Sequence, residues 1–144
     1  MKRFFSLVLV FITIVNLSVF TKAKTPDKKM SGVWLCSVGN LDFPSKKGLD
    51  ESALKSELDS VISHCKSNGI NTIFFQVRPN SDALYKSNVF PWSEVISGQQ
   101  GKAPDNDFDP LLYIVQKAHS AAIELHAWIN PYRIGNKNSL SEIL

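Results

Sequence analysis

Aromatic, amide and guanidinium side chains that could bind a sugar are concentrated near the C-terminal end of the chain. His126, Trp128 and Asn130 alternate there, and Tyr132 and Arg133 follow within three residues. Alternating positions of a β-strand share one face, so the first three side chains are expected to point the same way. Flat rings can stack on sugar faces, while amide and guanidinium groups can hydrogen-bond to sugar hydroxyls. Any one of these residues could instead fill a core, but together they favour a carbohydrate-binding site.

A second set of polar residues follows an earlier apolar stretch. Gln76 and Arg78 share one parity there, and they are expected to face the same side as His126 and Asn130. Arg78 could bind substrate, pair with an acidic catalytic residue, or form a structural salt bridge.

The long loop after this stretch carries two more candidate residues. Asp82 is either a carboxylate that binds hydroxyls or assists catalysis, or a residue that caps a turn. Trp92 is either a stacking platform for a sugar or a hydrophobic packing residue. Loops of this length inside a compact domain are usually functional or disordered, and this loop is not of low complexity. It is therefore predicted to be ordered and functional.

Three apolar stretches are predicted to be strands, at residues 32–38, 70–77 and 123–130, with a helix after each of the first two. Asp50 and Asp109 are expected to cap the two helices. Strands that are apolar on both faces and alternate with helices predict a parallel sheet with right-handed crossovers, and so an α/β fold. The candidate residues then lie at the C-terminal ends of the second and third strands, where active sites of such sheets form.

Residues 1–23 have the features of a secretory signal peptide. A basic start precedes the apolar run Phe4–Phe20, and small residues provide a cleavage site after Ala23. Residues 24–30 then form a polar linker. An uncleaved membrane anchor is the alternative, since the run approaches the length that spans a bilayer. We expect export to a periplasm or to the extracellular space, with no stable membrane association after cleavage.

Composition argues against several other classes of function. Removing the three basic residues of the leader takes the formal net charge from +3 to zero, and no basic stripe remains that would bind nucleic acid. Cys36, Cys65 and the three histidines show no metal-ligand spacing. No glycine-rich turn follows the first strand, and no serine occupies a nucleophile elbow. No metal or cofactor is predicted, and buried thiols are favoured over the disulfide that export would permit.

Eight short motifs occur in an order that resembles one known family. They are GVWL at 32–35, NLDFP at 40–44, FQVRP at 75–79, SDALY at 81–85, PWS at 91–93, GQQG at 98–101, FDPL at 108–111 and LHAWINPYR at 125–133. Together they resemble the glycosyl hydrolase-like 10 proteins (also called DUF187), which are bacterial exported (β/α)8-barrel proteins. The resemblance covers about residues 31–133.

The resemblance implies that residues 31–144 are the N-terminal portion of a (β/α)8 TIM barrel. A complete barrel has eight strand–helix units in about 250 residues, whereas three strands and two helices are predicted here. Three strands cannot close a barrel, and they would leave an open edge. We therefore expect a truncated product, a partial gene or a split reading frame. A small free-standing three-layer domain is the alternative.

The resemblance also implies a glycoside hydrolase that acts on bacterial cell-wall glycan of the peptidoglycan type. Some members are similar to enzymes that cut peptidoglycan strands stripped of their stem peptides. Such hydrolysis needs two carboxyl groups, and the family's acidic motif on the fourth strand would lie beyond Leu144. The catalytic pair is therefore unknown, with Asp82 the best placed of the acidic residues near the strand ends, which are Asp42, Asp82, Glu94, Asp105 and Asp107.

Two outcomes are expected for activity. The 144 residues alone are not expected to hydrolyse glycan. The alternative to a hydrolase is a non-catalytic carbohydrate-binding surface protein, or an inactive remnant, that keeps the aromatic and amide groups without the acid pair. The polysaccharide or glycan strand is the expected partner in either case.

Overall fold

The computed structural model describes residues 29–134. The predicted signal peptide 1–23, residues 24–28 of the predicted linker and residues 135–144 of the predicted barrel domain lie outside the described residues. The strands are β1 (Gly32–Leu35), β2 (Thr72–Arg78) and β3 (Glu124–Ile129), the helices are α1 (Glu51–Ser67), α2 (Glu94–Ser97) and α3 (Pro110–Ser120), and 3-10 turns occupy Val38–Asn40 and Asp105–Asp107.

The three strands form one parallel sheet in the order β1-β2-β3. With the helices between them, this arrangement confirms the α/β prediction and matches part of a TIM barrel. The register sets Trp34 beside Phe74 and Phe74 beside His126. After Gln76 pairs with Trp128, the register shifts.

That shift changes which residues are paired at the strand ends. Arg78 is paired with Ile129, whereas unbroken alternation would have set it beside Asn130. A local irregularity of this kind inserts an extra residue into one strand and re-aims the side chains that follow. The first strand also ends earlier than predicted, at Leu35, because the amides of Cys36 and Ser37 donate to the side chains of Asp42 and Gln76.

Both long helices begin at the predicted caps. The Asp50 carboxylate accepts a hydrogen bond from the Ala53 amide at 2.7 Å, and the Asp109 carboxylate accepts one from the Leu112 amide at 2.9 Å. Residues at helical spacing on α1 then face the core, namely Leu54, Leu58, Ile62 and Cys65. From α3, Ile114 and Ala118 join the same core.

One face of the sheet packs on this core. Leu35, Ile73, Phe75 and Val77 are all buried there among the helix residues. Fully burying one such side chain contributes about 1.5–3 kcal/mol, so this face supplies much of the stability of the sheet. The alternating residues of the same strands project from the opposite face.

The two cysteines are both free thiols, but the burial predicted for both holds only for Cys65. Cys65 is buried on α1, and the half-buried Cys36 donates from its Sγ to the Gln76 side-chain oxygen at 3.2 Å. None of the helices between residues 29 and 134 is long and apolar enough to cross a membrane.

Candidate functional site

The ends of β2 and β3 are joined at what we call the C-terminal edge, formed by Arg78, Pro79, Asn130 and Pro131. The Asn130 amide N–H donates to the Arg78 carbonyl at 3.0 Å, and the Asn130 side-chain amide donates to the Pro79 carbonyl at 2.9 Å. The indole N–H of Trp128 in turn donates to the Asn130 side-chain oxygen at 3.0 Å. Three of the predicted site residues therefore meet at this edge.

Arg78 is fixed at the same edge by two neighbours. Its Nη2 donates to the Pro131 carbonyl at 3.2 Å, and its guanidinium carbon lies 4.3 Å from the centre of the Phe90 ring. Its Nε is buried and has no hydrogen-bond acceptor among residues 29–134. No carboxylate of this part of the chain forms an ion pair with Arg78, so the guanidinium keeps donors that a ligand or an acidic group could use.

Gln76 lies beneath the edge, and only 1% of its surface is exposed. Its side-chain oxygen accepts hydrogen bonds from the backbone amides of Ser37 and Val38, both at 3.0 Å. The Ser37 hydroxyl donates back to the Gln76 carbonyl at 2.9 Å. These contacts make Gln76 the residue that fixes the turn after β1. Its predicted contact with substrate stays a prediction.

Asp82 is also buried, with 1% of its surface exposed. Its carboxylate accepts a hydrogen bond from the Asn80 amide at 3.0 Å and is hydrogen-bonded to the Ser93 side chain. Burial raises the pKa of the Asp82 carboxyl, and the hydrogen bonds from Ser93 and Asn80 oppose that rise. The carboxylate points into the loop, which favours a role in holding the loop together. Its catalytic role stays a prediction.

The loop after β2 is ordered around these contacts. Ala83 and Trp92 pair as a short parallel bridge, with the Ala83 amide donating to the Pro91 carbonyl and the Ser93 amide donating to the Ala83 carbonyl. Trp92 is half-buried beside this bridge. Its indole has no described contact with the C-terminal edge, so the structure does not bring Trp92 together with Trp128 within residues 29–134.

Four rings lie on the sheet face that is opposite the helices: Trp34, Phe74, His126 and Trp128. We call them the aromatic row, because three of them stack in sequence across the strands. Trp34 stacks on Phe74 with ring centres 4.7 Å apart, and Phe74 stacks on His126 at 5.1 Å. Trp128 meets Trp34 edge to face at 5.1 Å. Trp34, the tryptophan of the GVWL motif, is 61% exposed. Trp34 and Phe74 occupy paired positions on neighbouring strands, and this pairing was the signal that could have predicted their contact.

The remaining predicted site residues are less constrained. His126 lies in the aromatic row with its Nε2 3.8 Å from a carboxylate oxygen of Glu124, within mid-strand rather than at the edge. Tyr132 is 94% exposed, and Arg133 is exposed beside it. Neither Tyr132 nor Arg133 has a side-chain hydrogen bond or ion pair to the described part of the chain.

The acidic residues near the strand ends are mostly engaged in local contacts. The Asp42 carboxylate accepts a hydrogen bond from the Cys36 amide at 2.8 Å. Glu94 forms an ion pair with Lys47 at 2.9 Å, and Asp107 forms one with Lys86. With Asp82 buried, the described residues do not identify a catalytic carboxylate pair. Within the same range, no group of three or more His, Cys, Asp and Glu side chains could hold a metal ion.

Comparison with known proteins adds a family. The model of the family described as glycosyl hydrolase-like 10 matches residues 29–144. The chain is 36% identical over 144 residues to glycosyl hydrolase YngK of Bacillus subtilis strain 168, covering 97% of this chain and 28% of that protein. It is 37% identical over 116 residues to glycosyl hydrolase DigH of Escherichia coli strain K12, covering 73% of this chain and 25% of that protein. DigH of Shigella flexneri gives the same values. The chain thus spans about a quarter of the length of these relatives.

Proposed function

Because the chain belongs to the glycosyl hydrolase-like 10 family, we propose that the protein is an exported glycoside hydrolase that cleaves peptidoglycan-type glycan of the bacterial cell wall. The observation that carries the proposal is the arrangement at the C-terminal edge, where an indole, a carboxamide and a guanidinium are held together by hydrogen bonds. This edge is the location of active sites in parallel α/β barrels.

In this proposal the sugar stacks on Trp128. An indole offers a flat apolar face that suits the apolar face of a pyranose ring. Arg78 supplies N–H donors for hydroxyl or acidic groups of the same sugar. Tyr132 and Arg133 extend the binding surface beyond the edge, since both are exposed directly after Pro131.

Bond cleavage requires two carboxyl groups, one as acid and one as base or nucleophile. Asp42, Glu94 and Asp107 already hold partners, and Asp82 is buried. Asp105 lies in the 3-10 turn before α3 and not at a strand end. We therefore propose that the catalytic pair belongs to later strand ends of the same family domain. This is compatible with a chain that spans about a quarter of its relatives.

A non-catalytic carbohydrate-binding protein is the second candidate function. It is favoured by one observation, namely the burial and local hydrogen bonding of Asp82, the acidic residue best placed by the sequence. The two functions share the binding edge and differ only in turnover. The proposed compartment, a periplasm or the extracellular space, is common to both and rests on the signal peptide predicted at residues 1–23.

The test uses the full-length protein, purified glycan strands, and an assay of newly formed reducing ends together with an equilibrium binding measurement. We expect Trp128→Ala to weaken glycan binding about 5- to 150-fold, if a stacked sugar loses about 1–3 kcal/mol as a stacked base does. Leu112→Ala is the matched control, because Leu112 is an exposed apolar residue on α3.

Three results separate the candidates. Wild-type turnover that falls in Trp128→Ala supports the hydrolase. Binding without turnover supports the binding protein. Glycan binding that is equal in wild type and Trp128→Ala removes the C-terminal edge from both functions.

A further inference from the structure

Asn130 uses both ends of its side chain inside the protein. The carboxamide oxygen accepts from the indole N–H of Trp128, and the carboxamide nitrogen donates to the Pro79 carbonyl. A carboxamide oxygen has two lone pairs and its nitrogen has two N–H groups, and each end makes one hydrogen bond within the protein. With both ends anchored, the plane of the side chain cannot rotate to follow a bound sugar.

The position of Pro79 explains why a side chain is needed here. A proline has no backbone N–H, so it cannot continue the hydrogen-bond ladder of a parallel sheet. The register has already shifted between Gln76 and Arg78. Pro79 keeps its carbonyl, and the Asn130 side chain donates to it, which adds a link between β2 and β3 next to the backbone bond from the Asn130 amide to the Arg78 carbonyl.

The other hydrogen bond of the Asn130 side chain, to the indole, fixes the Trp128 ring. An indole has a single polar atom, the Nε1–H group, and here Asn130 holds it at 3.0 Å. The Trp128 ring also contacts the Trp34 ring, with ring centres 5.1 Å apart and an interplanar angle of 87°. A ring held at its polar atom and against a neighbouring ring keeps one orientation before any ligand arrives.

We propose that Asn130 is a positioning residue for Trp128, which links the indole N–H to the Pro79 carbonyl and presents a fixed aromatic face to a pyranose ring. For the identity of the ligand, this inference rests on the function proposed above. Preorganisation improves binding because the side chain does not have to be immobilised when the sugar binds. Asn130 thus acts on affinity through Trp128 and is not itself the group that recognises the sugar.

A double-mutant cycle in the full-length protein tests this directly. The variants are Asn130→Ala, Trp128→Phe and the two combined, and the probe is a soluble fragment of alternating N-acetylglucosamine and N-acetylmuramic acid. Phenylalanine keeps an aromatic face but lacks the N–H that Asn130 holds. We expect Asn130→Ala to weaken binding about 2- to 10-fold in the protein that has Trp128. In the Trp128→Phe variant, the same substitution should have almost no further effect. An equal loss in both backgrounds would mean that Asn130 contacts the sugar itself, and it would overturn the inference.

A second readout needs no glycan. The rate at which the Trp128 indole proton exchanges with solvent can be followed by NMR, with the indole protons of Trp34 and Trp92 as internal references. We expect faster exchange in Asn130→Ala and slow exchange in Asn130→Asp, because aspartate retains an oxygen acceptor. Gln116→Ala, on the exposed side of α3, is the control and should leave the rate unchanged.

The two readouts distinguish failure of the inference from failure of the proposed function. Unchanged indole exchange in Asn130→Ala overturns the positioning role even where glycan binds. If indole exchange is faster in Asn130→Ala but the wild-type protein binds no glycan, the proposed function is refuted. The sugar is then removed from the inference, and the contact between Asn130 and the indole stands.

Discussion

Two asparagines join the same sheet at opposite edges, and they differ in what they hold. At the N-terminal edge, the Asn71 side chain donates to the Lys29 carbonyl at 2.9 Å and accepts from the Ser31 amide at 3.1 Å. At the C-terminal edge, the Asn130 side chain donates to a carbonyl in the same manner, but it accepts from an indole.

The comparison separates stability from ligand chemistry. Among residues 29–134, the Asn71 side chain bonds only to the backbone and to the hydroxyl of Thr72, and these contacts close the start of the sheet. Asn130 closes the end of the sheet and in addition orients a ring beside a guanidinium. The same residue type therefore has a structural role at one edge and a proposed functional role at the other, which is the division found between the two ends of parallel barrels.

The largest expected effect is that of replacing Gln76. A large loss of stability there would weaken the comparison, because it would show that residues near the C-terminal edge also stabilise the fold. Gln76→Leu removes the acceptor of the Ser37 and Val38 amides. Since a buried donor left without an acceptor costs about 1–3 kcal/mol, we expect a loss of about 2–4 kcal/mol in the free energy of unfolding. Denaturant unfolding measures it, with Gln116→Leu as the exposed control. A loss below 1 kcal/mol would mean that water or a rearranged turn replaces Gln76.

A smaller effect is expected for Asn71, and it sharpens the comparison. Asn71→Ala should lower the free energy of unfolding by about 1–2 kcal/mol, because the Ser31 amide and the Lys29 carbonyl lose their partner. Glycan affinity should stay within 2-fold of wild type, since no ring depends on Asn71. Calorimetric titration with the same glycan fragment measures the affinity. A loss of affinity as large as that of Asn130→Ala would erase the distinction between the two edges.

The smallest expected effect is the pH dependence that Asp82 confers. Burial raises the pKa of its carboxyl in the folded chain, so the folded state binds the proton more tightly than the unfolded state. The resulting stabilisation is present below the ordinary carboxyl pKa of about 3.9 and is lost as pH rises through the raised value.

Asp82→Asn removes this titration. The stability of wild type minus that of Asp82→Asn should therefore decrease as pH rises from about 3.5 towards neutrality, and then level off. Denaturant unfolding of both proteins at each pH measures the difference. A difference that increases with pH would mean that the ionised form is the one the fold stabilises.

Local features of the sheet and helices could be predicted from the sequence, because the atoms that form them are close in the chain. The Asp50 and Asp109 caps each bond to an amide three residues later, and alternation of strand and helix implies a parallel sheet. Family membership could likewise be inferred from the order of the motifs, and it is confirmed.

The contacts of the candidate site could not be predicted in the same way, because they depend on register and on long-range packing. Gln76 meets a turn about forty residues earlier, and in that turn Gly39 and Asn40 both adopt a positive φ. Arg78 is displaced from its expected partner by the register shift, which an unbroken alternation of side chains does not contain. The exposure of Trp34 depends on what neighbours the sheet, and single-residue hydrophobicity carries no information on that.

The central claim is that glycan binds at the C-terminal edge formed by β2 and β3. A crystal structure of the full-length protein with a bound oligosaccharide of N-acetylglucosamine and N-acetylmuramic acid tests it most directly. The account predicts a pyranose ring against the face of the Trp128 indole, within reach of Arg78, with the Asn130 carboxamide still bonded to the indole and to the Pro79 carbonyl. A glycan bound elsewhere, with the Trp128 face unoccupied, would contradict it.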